Sequence, residues 1–128
     1  MRTKRKARTH VYPMRINLQI TEAQEDDTLI LHLRGEMDVY TGCYLKEQVM
    51  SRLDSPEYAG LKLALDLREV EYLDACGLGV ILGSLKRCRE RERDFSVRSG
   101  NERVRWLFQR TGVDKIIPNS WAPAGAMQ

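Results

Sequence analysis

Leu61, Leu63, Leu65 and Leu67 alternate without a break with Lys62, Ala64 and Asp66, and shortly afterwards the apolar spacing changes period. Leu78, Ile81, Leu82 and Leu85 fall at i, i+3, i+4 and i+7, while Lys86, Arg87, Arg89 and Glu90 lie largely off that stripe. A period of two places every second side chain on one face of a strand, whereas the longer period makes one stripe along a helix. A half-buried strand feeding an amphipathic helix restricts the chain to architectures in which helices cover a sheet.

The same two periods recur along the rest of the sequence. Met14, Ile16, Leu18 and Ile20 alternate with Arg15, Asn17 and Gln19, which predicts a strand, and Glu25-Asp26-Asp27 reads as a turn. A second strand is expected from Thr28 to Arg34, with Leu29, Leu31 and Leu33 on one face, His32 on the other and Gly35 ending it. After the loop Gly35-Glu36-Met37-Asp38, Leu45, Val49 and Leu53 recur at helical spacing with Met50 beside them, until Asp54-Ser55-Pro56 stops the helix. Phe95 to Arg98 predicts a short strand. For the last helix two starts are open: Ser99 with Glu102 has capping-box spacing, and Asn101 would cap a slightly later start. Val104, Leu107 and Phe108 form its apolar face, Gly112 suits a left-handed C-terminal residue, and Asp114 to Ile117 reads as one more edge strand.

The order β-β-α-β-α-β-α-β implies an α/β fold with a mixed sheet of four or five strands. Because the strands alternate instead of being apolar throughout, helices should cover mainly one face. Residues 1–13 are read as a basic flexible arm, 14–117 as the folded domain and 118–128 as an irregular tail.

The 128 residues suit one domain, and a hydrophobic fraction of 42% suffices for a core without staples. Arg2, Lys4, Arg5, Lys6 and Arg8 supply most of the net charge of +3, and beyond them the signs are mixed. The domain therefore makes no electrostatic case for nucleic acid, and the arm reads first as a solvated tail, contact with nucleic acid or an acidic membrane being the alternative. Cys43, Cys76 and Cys88 form no disulfide framework, which fits a reducing, cytoplasmic setting. No signal peptide or membrane span is expected, because Pro13, Arg15, Asn17 and Gln19 interrupt any apolar stretch after the basic start. His10 and His32 lack metal-ligand spacing with the cysteines, Cys76 has no evident His partner, and no phosphate-binding glycine loop is present. An enzyme is the weakest class, and neither cofactor nor metal is expected.

The informative segment is Asp74-Ala75-Cys76-Gly77-Leu78-Gly79-Val80-Ile81-Leu82. Asp74 can cap the helix, while Gly77 and Gly79 sit early in it, where each glycine costs ~1 kcal/mol relative to alanine. Either the glycines allow tight helix–sheet packing, or they let a partner or ligand approach the first turn.

This segment resembles the signature Asp-Ser-Ser-Gly-Leu-Gly-Val-Ile-Leu of the STAS domain, the fold of bacterial anti-sigma factor antagonists. Gly35-Glu36-Met37-Asp38 with Thr41 is similar to the family's Gly-Glu-Leu-Asp…Thr, and Leu63-Ala64-Leu65-Asp66-Leu67 to its central strand. Val104-Arg105-Trp106-Leu107-Phe108 followed by Thr111-Gly112-Val113 resembles the last helix and exit. The likeness runs in order from about Met14 to Ile117 and implies a partner-switching regulator. Antagonists of this family bind an anti-sigma factor that is also a serine kinase, which phosphorylates the serine before the first glycine and so weakens binding. By resemblance, Asp38, Thr41, Asp74, Ala75, Cys76, Gly77, Leu78 and Gly79 are the candidate partner-binding residues, and a homodimer remains open.

At the phosphoacceptor-equivalent position this chain has Cys76, and Ala75 replaces the serine before it. A thiol is not the acceptor such a kinase uses. Binding is then constitutive, the partner is not a kinase, or oxidation of the thiol gates it; the plainest reading makes Cys76 a small apolar occupant of the turn. Asp38 and Asp74 serve as caps and turn formers or shape the hydrogen bonding around that slot, and Thr41 reads as a helix cap before it reads as an alternative phosphoacceptor. The leading expectation is an anti-sigma factor antagonist-like regulator acting by stoichiometric protein binding. Its alternatives are a redox-responsive or small-ligand-binding STAS module, or a STAS component of a lipid-transport or stress complex.

Overall fold

The computed structural model describes residues 8–11, 17–98 and 100–120. Among these residues six strands lie in one sheet in sequence order: β1 (Arg8–Val11), β2 (Leu18–Glu25), β3 (Thr28–Met37), β4 (Lys62–Leu73), β5 (Phe95–Arg98) and β6 (Asn119–Ser120). The pairs β1–β2 and β2–β3 are antiparallel, and β3–β4, β4–β5 and β5–β6 are parallel. The parallel half follows from its connections, because α1 (Val39–Leu53), α2 (Ala75–Glu90) and α3 (Glu102–Thr111) each carry the chain back across the sheet. The α/β class and mixed sheet are those expected, and among the described residues the two-residue β6 adds a sixth strand at the edge of a five-stranded sheet.

All three helices contribute to one apolar cluster. Leu29, Leu31 and Leu33 of β3 and Leu63, Leu65 and Leu67 of β4 meet side chains such as Leu45, Ile81 and Phe108 from the helices. The opposite face of the same strands carries His32 and Asp66, whose side chains bond at 2.9 Å. His32 thus lies on the face the alternation assigned to it.

Several boundaries differ from the sequence reading. Arg8–Val11, counted there with the arm, pairs with β2, and residues 1–7 lie outside the described ones, as do Met14 and Ile16. Gly35 does not end its strand. With φ +123° it sits where β3 shifts register against β4, Glu36 donates to the Asn17 carbonyl (2.8 Å), and the strand continues to Met37. Ser99 is likewise outside the described residues, while Asn101 caps α3 by accepting from the Val104 amide at 2.9 Å. Gly112 is left-handed at φ +79°. The expected strand at Asp114–Ile117 is absent: Val113–Lys115 turns as a 3-10 helix, Ile117 enters the core, and pairing with β5 begins only at Asn119.

Two buried charged groups fasten the helical layer. Glu22, in phase with Leu18 and Ile20, is 1% exposed and accepts from Arg52 Nε at 2.8 Å and the Tyr58 hydroxyl at 2.6 Å. Arg93 donates to the carbonyls of Leu61 (2.8 Å), Leu53 (3.0 Å) and Tyr58 (2.8 Å), tying the end of α1 to the start of β4. Removing one partner of a buried pair leaves the other charge uncompensated. Arg52→Met is therefore expected to lower the unfolding free energy by about 3 kcal/mol in urea denaturation.

On the opposite face Asp66 is 4% exposed, with His32 and Arg68 on its carboxylate. Burial alone would raise its pKa, but the hydrogen bonds from the Arg68 side chain and backbone and the charges of Arg68 and His32 lower it below 3.8. A carboxylate with a depressed folded-state pKa contributes stability above its unfolded value and loses it as pH falls through the folded value. Asp66→Asn should thus lose less stability than wild type between neutral and strongly acid pH, measured by denaturant unfolding across that range.

Candidate functional site

The parallel pairing of β3 and β4 brings Met37 opposite Leu73. Each strand is followed at once by an aspartate and then a helix. Asp38 caps α1, accepting from the Tyr40 and Thr41 amides at 2.9 and 3.0 Å, and Asp74 caps α2, accepting from the Gly77 amide at 3.0 Å. The Asp74 amide donates to the Met37 carbonyl at 3.2 Å, so two helix N-termini start side by side on one rim of the sheet. Both aspartates are used as caps, which places partial positive charge and its neutralising carboxylate at the same points.

The first turn of α2 divides its residues between inside and outside. A Cβ on Gly77 would stand 2.7 Å from the Met37 carbonyl oxygen and 2.7 Å from Leu73 Cδ1, so the helix seats against β3 only with glycine there. Leu78 is 7% exposed and joins the core. Ala75, Cys76 and Gly79 face outward, and nothing lies within 4 Å of a Cβ built on Gly79. The two glycines that look alike in sequence therefore have different surroundings: Gly77 is consumed by packing and Gly79 leaves surface open.

Thr41 is 1% exposed, and its hydroxyl accepts from the Asp38 amide and donates to the Glu36 carbonyl, both at 2.8 Å. It is thus the partner in a capping box whose N-cap is Asp38, not the cap itself. Of the eight candidates, Asp38, Asp74, Ala75, Cys76 and Gly79 come together at the rim, and Thr41, Gly77 and Leu78 lie beneath it. Cys43 and Cys76 are exposed thiols, whereas Cys88 is buried and its pKa is pushed up to about 11 by that burial.

Sequence reasoning missed the apolar residues around this rim. Val39 and Tyr40 in the first turn of α1 are 54% and 72% exposed, and Tyr72 at the end of β4 is 48% exposed. Their signal was phase: none falls on the apolar stripe of its own element. A groove of about 280 Å³ continues from Cys76 between α1 and α2, past Gly79 and Gly83, with Val49 in its lining. Gly42 closes the two helices at its head, a Cβ there standing 3.1 Å from Val80 Cγ2. Among the described residues no group of three His, Cys, Asp or Glu side chains is placed to hold a metal, and no helix is long and apolar enough to cross a membrane.

The sequence model of the STAS domain matches residues 19–123. The anti-sigma-B factor antagonist of Listeria monocytogenes is 35% identical over 104 residues, which are 81% of this chain and 88% of the relative. That of Bacillus subtilis is 28% identical over 113 residues, 88% of this chain and 100% of the relative. Among solved structures, a putative anti-sigma factor antagonist from Thermotoga maritima superposes with a TM-score of 0.70 at 27% identity, covering 83% of this chain and 89% of that one. The unphosphorylated anti-sigma factor antagonist SpoIIAA shares the fold, with a TM-score of 0.64 at 14% identity over 79% of this chain and 87% of its own.

The two glycines make opposite predictions. Gly77→Ala must push the helix off Met37 and is expected to destabilise the fold by about 2 kcal/mol, the usual cost of overpacking. Gly79→Ala meets nothing and gains helix propensity, so stability should hold or rise by up to about 1 kcal/mol. Thermal and urea unfolding of both variants beside wild type checks the contrast.

Proposed function

The chain belongs to the STAS domain family, and on that footing we propose that it is an anti-sigma factor antagonist, acting by stoichiometric binding to an anti-sigma factor of the serine-kinase type. Support comes from the relatives, which carry that name and align over most of both chains. The observation that carries the reading to a place on this molecule is the outward half of the first turn of α2. Cys76 and Gly79 are exposed there, beside Tyr40 and Tyr72, and Gly79 has no packing role to explain its missing side chain. A helix start that forgoes about 1 kcal/mol of propensity without an internal contact fits a surface that another protein approaches closely.

In this reading Cys76 occupies the position of the family's phosphoacceptor serine, and the surface binds without a phosphate switch. A phosphoserine would bring close to two negative charges to the centre of the contact, and a thiol, which such a kinase does not phosphorylate, keeps that centre small and free of phosphate. Binding is then constitutive, and exchange of partners is set by concentration and competition. The contact is with protein, through a rim whose aromatic side chains are the residue types that dominate interface energetics.

The test is a pull-down from lysate of the source organism with wild type and Cys76→Ser, followed by addition of ATP. Both forms should retain an anti-sigma factor with a serine-kinase domain, and only Cys76→Ser should take up phosphate and let it go. Recovery of no such protein by either form would overturn the proposal. Gly79→Leu, which the open surface tolerates, should weaken the recovered complex about tenfold or more in calorimetry while the fold persists.

A further inference from the structure

The groove between α1 and α2 is lined by two cations and no carboxylate. Lys46 reaches it from α1 and Arg87 from the last turn of α2, while Val49, Cys76, Gly79 and Gly83 supply a small or apolar lining. The Arg87 guanidinium lies over the floor, its Nη1 at 4.0 Å from where a Gly83 Cβ would stand. Elsewhere on the surface Arg91 is paired with Asp54 and Lys62 with Asp27, but among the described residues neither Lys46 nor Arg87 has an acidic partner. Two unpaired cations converging on an apolar channel call for an anionic occupant.

The shape of the floor says what form that occupant takes. Cys76, Gly79 and Gly83 are spaced i, i+3 and i+7, so they share one face of α2 and leave it flat along two turns. From Cys76 to Arg87 the channel runs roughly 16 Å at the helical rise per residue, a length for about three turns of a second helix. Small residues at this spacing let a facing helix approach closely, as ridges settle into grooves. Gly42 packs against Val80 near the head of the channel, and Lys46 lies one turn beyond Gly42, so the cations sit toward the end away from Asp74.

We propose that this groove is the seat of an acidic amphipathic helix of the partner, its apolar stripe on Gly79 and Gly83 and two carboxylates one turn apart on Lys46 and Arg87. The inference deepens the antagonist reading by naming the partner's chemistry, since the channel opens beside Cys76. A second copy of this chain does not fit. Among the described residues its three α-helices carry one acidic residue each, Glu47, Glu90 and Glu102, so none of these presents a pair of carboxylates one turn apart.

The experiment needs no identified partner. A synthetic helical peptide of about four turns, with an alanine–leucine face and two glutamates one turn apart, is titrated into the isotope-labelled full chain, with a lysine counterpart as control. The glutamate peptide should shift the amides of Cys76, Gly79, Val80 and Gly83 saturably. Lys46→Glu/Arg87→Glu, two changes at side chains without structural partners, should lose roughly tenfold in affinity for it and gain affinity for the lysine peptide. Equal response to both peptides, shifts scattered off the groove, or no saturable shift would overturn the proposal. So would movement of the same amides with protein concentration alone, which would make the occupant a second copy. Failure of the antagonist reading is distinct: the peptide titration succeeds while the pull-down yields no anti-sigma factor.

Discussion

The first turn of α2 lies against the end of β3 only because position 77 has no side chain, a Cβ there falling 2.7 Å from the Met37 carbonyl oxygen. That oxygen also accepts from the Asp74 amide, so one backbone group of β3 meets both the cap and the first turn of the next helix. The parallel register of Met37 with Leu73 fixes the height at which this happens, and α1 begins two residues past Met37. Two helix N-termini, their aspartate caps and the head of the groove between them therefore descend from one strand pairing. A register slip would move every one of these groups and turn the alternating leucines of β4 to the wrong face.

The alternating strands, the three helical stripes and the mixed sheet were legible because each rests on spacing alone. What sequence did not show was decided by partners distant along the chain. Gly35 looks like a terminator, yet the strand passes through it because Asn17 supplies a carbonyl to the next amide. Ile116 and Ile117 look like an edge strand, but the left-handed Gly112 directs the chain into a tight turn that leaves one isoleucine exposed and buries the other. Glu22 and Arg52 look like surface charges. Their phase was the available signal, since Glu22 follows Leu18 and Ile20, and Arg52 lies one heptad after Leu45, in positions that face the core. Arg93 follows no stripe, and its three carbonyl partners appear only once the fold has gathered them.

At the candidate site the position was legible and the division of labour was not. Sequence placed Asp74, Cys76, Gly77 and Gly79 at a helix start but gave no means of telling one glycine from the other. The distances from an added Cβ do so, and they reconcile the two readings of the motif: tight packing describes Gly77 and an open approach describes Gly79. Leu78 of the same signature and Thr41 of the Gly35-Glu36-Met37-Asp38…Thr41 motif, both named by resemblance, have structural duties that shape the rim from below. A motif of this kind therefore mixes residues that build a surface with residues that are the surface.

The charges around the rim bear on the proposed role of Cys76 as the occupant of the family's serine position. Each helix N-terminus carries roughly half a positive charge, and at this rim both are offset locally by the capping carboxylates of Asp38 and Asp74. The exposed groups between and beside them, Cys76, Tyr40 and Tyr72, add apolar area instead of net charge. Uncompensated positive charge is set back from the rim, at Lys46 and Arg87 in the groove. In the proposed complex, close packing is thus asked of one part of the surface and charge recognition of another, and the two can change independently. In that proposed complex, apolar contact at the rim tolerates a thiol as readily as a hydroxyl, while the cations set the polarity of the acidic helix in the groove. In the proposed antagonist reading, a thiol at position 76 removes a means of release and leaves the means of recognition in place.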